Sequence, residues 1–181
     1  MTITMLDALV KVDACNEARR WVESYRPRAV RARDYWTACE RGDWLLWVAS
    51  RAGVDRRDVV RAACACARLS LVHVPAGEPR PLRAIETAER WARGKATIEE
   101  VRAAYDAASA AARYAAYYYA AAAYDAAAAA SASASAAASA AAVLRHHDAG
   151  ALRQCADLVR QHIRWEDVDR GLYLAAGGVL P

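Results

Sequence analysis

Phenylalanine is absent from this 181-residue chain, so six tryptophans and nine tyrosines supply all of its aromatic bulk. Each indole or phenol has a polar edge that needs a partner when buried. No charge-free apolar run approaches the roughly eighteen residues that a bilayer-spanning helix requires. Charges in the opening MTITMLDALVKVD come too early for the apolar centre of a secretory leader. Strand-like alternation is missing too. So are CxxC pairs, a phosphate-cradling glycine loop, HExxH and a nucleophile elbow. Cys39 with Glu40, or Asp43 near Trp44, could be assembled into a speculative site, but nothing in the spacing sets a base against a nucleophile. These gaps argue against a membrane protein, a metalloprotein and an enzyme: no catalytic residue, cofactor or metal is expected.

Cys15, Cys39, Cys64, Cys66 and Cys155 are odd in number, scattered and set among hydrophobic residues. That usage predicts reduced, buried thiols in a cytoplasmic protein. Cys64 and Cys66 lie on one helix about 200° apart, so they cannot share an ion. His73 and His162 stand alone, and the adjacent His146 and His147 fall on different faces of a helix end. The RGD at 41–43 reads as a helix stop followed by a cap.

The formal charge of +4 is uneven. Residues 1–100 hold 18 basic and 14 acidic side chains, and the remainder holds 7 of each. Arg26, Arg28, Arg31 and Arg33 form the densest basic cluster, which is small for a phosphate-tracking face. Nucleic acid is therefore not the expected partner, although it stays as a rival reading.

What is present is helix punctuation. Asp13 is placed to cap a helix running to Tyr25, and Pro27 ends it. A second helix runs to Arg41. Gly42 is placed for the left-handed turn that closes it, and Asp43 for the cap of WLLWVASRAG. That short segment is apolar nearly all round and should be central to the core, stopping at Gly53. Asp55 opens a longer helix with Asp58 in its first turn. Pro81 suits the first turn of the next helix, which Gly94 closes. Thr97 and Glu100 form a capping box, and a final helix, ALRQCADLVRQHI, leads to Trp165 and a short tail.

Between these last two lies AAYYYAAAAYDAAAAASASASAAASAAA, residues 115–142. At about 100° per residue, polar side chains from Glu99, Arg102 and Asp106 through Tyr124 to His146 share one arc of roughly 120°. Val101, Ala104, Ala108 and Leu144 lie opposite. A linker would not keep this phase, and serines so irregular form no ice-binding rank. Alanine's small side chain instead lets helix axes approach to roughly 8 Å. One helix over residues 98–147 would measure about 75 Å, against a domain about 40 Å across. Compactness favours a hairpin, and the unbroken phase favours a rod.

The stretch DYWTACERGDWLLWVASRAGVDRRDVVRAACACARLSL resembles the immunity proteins of bacterial polymorphic-toxin systems, specifically the immunity family numbered five. The residues carrying the likeness are Trp36, Cys39, Gly42, Asp43, Trp44, Trp47, Asp55, Arg56, Cys66 and Ala67. Arg80, Pro81, Ala84, Ile85 and Gly94 continue it within RPLRAIETAERWARGKAT, so that it covers about residues 13–115. The resemblance implies an all-α, non-catalytic domain that binds a cognate protein toxin and masks it sterically. Inhibitors of nucleases are typically acidic, and this chain is mildly basic, which argues against a nuclease target.

Residues 1–181 are thus expected to form one all-α compact bundle of about seven to nine helices. Its parts are a Trp/Cys-rich core over 13–96, the Ala-rich helix or hairpin over 97–147, and a C-terminal helix and tail over 150–181. A self-assembling structural protein, associating as a homo-oligomer through the Ala-rich segment, is the alternative.

Overall fold

Thr4 and Asp7 start the first helix by exchanging bonds. The Thr4 hydroxyl accepts the Asp7 N–H at 3.2 Å, and the Asp7 carboxylate accepts the Thr4 N–H at 3.2 Å. This reciprocal box opens α1, Met5–Lys11. In the computed structural model, which describes residues 4–28, 31–74, 76–115 and 149–177, eight more α-helices follow, and no strand occurs among the described residues. They are α2 (Asn16–Tyr25), α3 (Ala32–Ala38), α4 (Gly42–Arg51), α5 (Arg56–Leu69), α6 (Arg80–Ala92), α7 (Ile98–Ala115), α8 (Ala149–His162) and α9 (Trp165–Ala175).

Several boundaries follow the local chemistry. Asp55 accepts the Arg57 N–H at 2.7 Å to open α5, and Pro81 occupies the first turn of α6. Glu100 and Thr97 exchange bonds of 2.7 and 3.2 Å ahead of α7. Gly53 and Gly94 both adopt a φ of +72° just past their helices, a conformation that costs glycine little. Other boundaries correct the sequence reading. Asp13 does not cap α2: it takes the left-handed φ of 61° itself and pairs with Arg19 at 3.5 Å, while Cys15 stands at the N-cap. Gly42 closes no left-handed turn, and Asp43 is not a cap. Gly42 is the first residue of α4, Asp43 is its second, and Arg41 is the N-cap. The tail after Trp165 is largely helix α9.

The core divides around α5. One side of α5, with Val59, Ala62, Ala63 and Cys66, joins α1–α4, α8 and α9. The other, with Val60, Cys64 and Ala67, meets Ala84, Ile85 and Ala88 of α6 and Val101 and Ala108 of α7. Alanines and cysteines all round α5 let α6 and α8 approach it from opposite sides. Leu46 and Ile85, both fully buried, anchor the two clusters and contribute about 1.5–3 kcal/mol each by leaving water. On α7 the predicted phase holds: Glu99, Arg102 and Asp106 are exposed, while Val101 and Ala108 are buried. Whether residues 98–147 form a rod or a hairpin, the tyrosine cluster, the serine phase, and His146 and His147 lie outside the described residues.

The cysteines depart from expectation. Cys66 of α5 and Cys155 of α8 are joined in a disulfide with a Cα–Cα distance of 5.0 Å across 89 residues. Cys15 is exposed, and only Cys39 and Cys64 are free, buried thiols. An odd count could not reveal which pair the fold brings together. Burial pushes the Cys39 and Cys64 thiols up from 9.0 to about 11 and about 12, so both stay neutral and unreactive. Iodoacetamide at pH 8 is expected to label one cysteine in the native protein, three after denaturation and five after reduction. Mass spectrometry checks this, and five labels in denatured, unreduced protein would rule out the bond.

Candidate functional site: an aromatic cavity beside the α4 N-terminus

Arg41 sets the site through three neighbours close in sequence or space. With Arg41 extended at the N-cap, its guanidinium folds forward onto Asp43, with Nε donating to Oδ1 at 2.8 Å and Nη2 to Oδ2 at 2.6 Å. It also lies 4.3 Å above the Trp44 ring and donates from Nη1 to Glu17 of α2 at 3.1 Å. Asp43, only 4% exposed, is a buried carboxylate, and the bidentate pair makes that burial tolerable. The first turn of α4 adds the favourable end of the helix dipole. In return Asp43 holds the Arg41 guanidinium above its ordinary pKa, chiefly through those hydrogen bonds. A second arginine, Arg51, lies 5.5 Å over Trp47 at the other end of α4.

Behind this pair is a cavity of about 250 Å³ between α1, α2, α3, α4 and α9. Trp21 is its organiser: it stacks on Tyr25 at 5.3 Å and meets Tyr35 and Trp44 edge-on at 6.3 and 6.1 Å. Trp36 and Trp165, both buried, lie 6.1 Å apart with their rings tilted by 47°. Leu9 of α1 and Val168 and Leu172 of α9 complete the wall. Arg160 of α8 fixes the end of α3 above it, donating from Nε to the Trp36 carbonyl at 3.1 Å and from Nη2 to the Cys39 carbonyl. Those are helix-end acceptors with no partner inside α3.

The structure therefore gathers five of the sequence-selected residues, Trp36, Cys39, Asp43, Trp44 and Trp47, around one cavity. The others serve elsewhere. Gly42 lies against α8, where a Cβ would come within 2.5 Å of the Cys155 sulfur. Asp55 and Arg56 start α5, and Cys66 is disulfide-bonded. Arg80 pairs with Glu78, Pro81 is buried in α6, and Gly94 makes a turn. Cys39 and Glu40 are not brought together, because Glu40 pairs with Arg153 of α8 at 2.8 Å. Trp21, Tyr35, Arg41 and Trp165 were missed as site residues. The i,i+4 spacing of Trp21 and Tyr25, and the Arg41–Asp43–Trp44 run, are the signals that could have found Trp21 and Arg41, whereas nothing local marks Tyr35 or Trp165.

Among the described residues no cluster of three or more His, Cys, Asp or Glu could hold a metal ion, and no helix is long and apolar enough to cross a membrane. The fold and cavity together define an all-helical protein with an aromatic, arginine-edged recess. Over residues 52–166, more than half the chain, the sequence matches the family described as "Imm-5 like putative immunity protein", and the chain belongs to that family. No curated protein and no solved structure matches it. The matched span runs from the end of α4 to the start of α9. It reaches further toward the C-terminus than the sequence resemblance, and Trp36 to Trp47 precede it.

Proposed function

We propose that this protein is an immunity protein that binds a cognate protein toxin and neutralises it by covering the toxin's working surface, without catalysing a reaction. Family membership supports the immunity role. The observation that supports a binding surface here is the pair of arginine–tryptophan stacks on α4, Arg41 on Trp44 and Arg51 on Trp47, with both indoles only half-buried. Tryptophan, tyrosine and arginine are the residue types that dominate interface energetics, and rings already held by a cation lose little freedom on docking. The alternative of self-assembly through the Ala-rich segment over 97–147 rests mainly on the part of it beyond Ala115, outside the described residues.

Co-expression with a toxin encoded beside this gene tests the reading. The protein is expected to restore growth, and Arg51→Ala combined with Trp47→Ala to weaken toxin binding by about 30-fold or more, the effect of losing one interface hot spot. Killing that proceeds unchanged in the presence of folded protein would reject it.

A further inference from the structure

Every tryptophan of the chain except Trp91 lines the aromatic cavity: Trp21, Trp36, Trp44, Trp47 and Trp165. An indole N–H donates and cannot accept, and none of these five donates to an acceptor among the described residues. Trp36 and Trp165 are only 5% and 9% exposed, so for them a missing acceptor is costly. Among the described residues, Arg19 Nε is the one side-chain nitrogen or oxygen that is both sealed from solvent and unpartnered. The two indole N–H groups are therefore not sealed, and an acceptor from outside can reach them. The acid groups on the wall are already committed, Asp43 bidentately to Arg41 and Asp13 to Arg19, which balances the charge there. No lysine or arginine belongs to the lining among the described residues. What remains is an apolar surface rich in donors, with no free counter-charge for an ion of either sign.

We propose that this cavity binds an uncharged apolar molecule that carries a carbonyl acceptor, of the aryl ketone class. Size supports it: a dry cavity of about 150 Å³ holds benzene, so 250 Å³ accommodates a ring bearing an acetyl group. The ring packs against indole faces and the aliphatic wall. Its carbonyl accepts from the Trp36 or Trp165 N–H, the partner that the protein itself does not supply. An ammonium ion brings only donors to a wall of donors and paired carboxylates. A carboxylate must shed its water with no cation in the lining to receive it. This proposal does not rest on the toxin-binding reading, and its test needs the protein alone.

The full chain is titrated with acetophenone at pH 7, and the indole N–H resonances are followed by NMR. Ethylbenzene, 1-phenylethylammonium chloride and benzoate serve as controls of similar size that lack the acceptor or carry a charge of either sign. Acetophenone is expected to give saturable shifts, with the Trp36 or Trp165 N–H moving downfield as it gains an acceptor. Ethylbenzene should move the ring signals of the wall without that downfield change. Both ions should bind about tenfold more weakly than acetophenone or worse, since neither finds a partner on the wall. Trp91, which packs in the other cluster, should not respond to any of them. No saturable response to acetophenone, saturation without a downfield move of either N–H, an ion that binds as tightly, or shifts confined to Trp91 would each overturn the proposal.

Discussion

Replacing Gly171 with alanine is expected to lower the melting temperature by about 6–12 °C, the equivalent of roughly 3 kcal/mol in a chain of this length. Gly171 lies in the middle of α9, where alanine would ordinarily favour the helix by about 1 kcal/mol. The packing reverses that sign. A Cβ at this position would sit 2.6 Å from the carbonyl carbon of Ala52 and 2.9 Å from its Cβ, and closer still to the carbonyl oxygen. The obstruction is mainly backbone at the end of α4, so no side chain can rotate away. To make room α9 must lift, loosening Val168 and Leu172 from the main core and Trp165 from Trp36. Overpacking of this kind typically costs about 1–3 kcal/mol, and the lost contacts add to it. Calorimetric melting of the variant checks the prediction, and an unchanged or raised transition would mean that α9 does not press on α4 as described.

The second large effect concerns the Cys66–Cys155 bond. Changing both cysteines to alanine is expected to destabilise the protein by roughly 4–5 kcal/mol, the chain-entropy value for closing a loop of this length, with 89 residues separating the ends. Both sulfurs are almost fully buried between α5 and α8, and Gly42 of α4 packs against the same Cys155 and against Ala156. A urea titration of oxidised wild type, reduced wild type and the double variant measures this. The reduced protein and the variant should unfold at similarly lowered midpoints. If reduction leaves the midpoint unchanged, the bond contributes nothing to stability.

These two sites also show where sequence reading stops. Asp55, Pro81, Gly53, Gly94 and the Thr97–Glu100 box were legible because each is satisfied within a few residues of itself. Gly42 and Gly171 were not. A glycine that provides a left-handed turn and one that admits a neighbouring backbone look alike in a sequence, and only tertiary packing separates them. Gly171 inside RGLYLAAGG reads as a breaker, and α9 has no side-chain cap to offset that signal. Helix α1 was overlooked for a different reason: Asp at the third helical position completes the Thr4 box in place of the usual Glu or Gln, over only seven residues.

The cavity was legible by halves for the same reason. Trp36, Cys39, Asp43, Trp44 and Trp47 fall within twelve residues and were singled out together. Leu9, Trp165, Val168 and Leu172 come from α1 and α9, at opposite ends of the chain, so that wall exists only once the ends meet. Disulfide partners pose the same problem, since pairing depends on Cα atoms approaching within about 7 Å and not on spacing along the chain. Along α7 the predicted arc holds from Glu99 to Ala108, because that phase depends only on local helix geometry.

A calorimetric titration of the purified protein with the product of the neighbouring toxin gene tests the central claim most directly. The account predicts saturable binding that is weakened by about 30-fold or more when Trp47 and Arg51 are both replaced by alanine in a protein that still melts cooperatively. Absence of binding, or full-strength binding by that double variant, would contradict it.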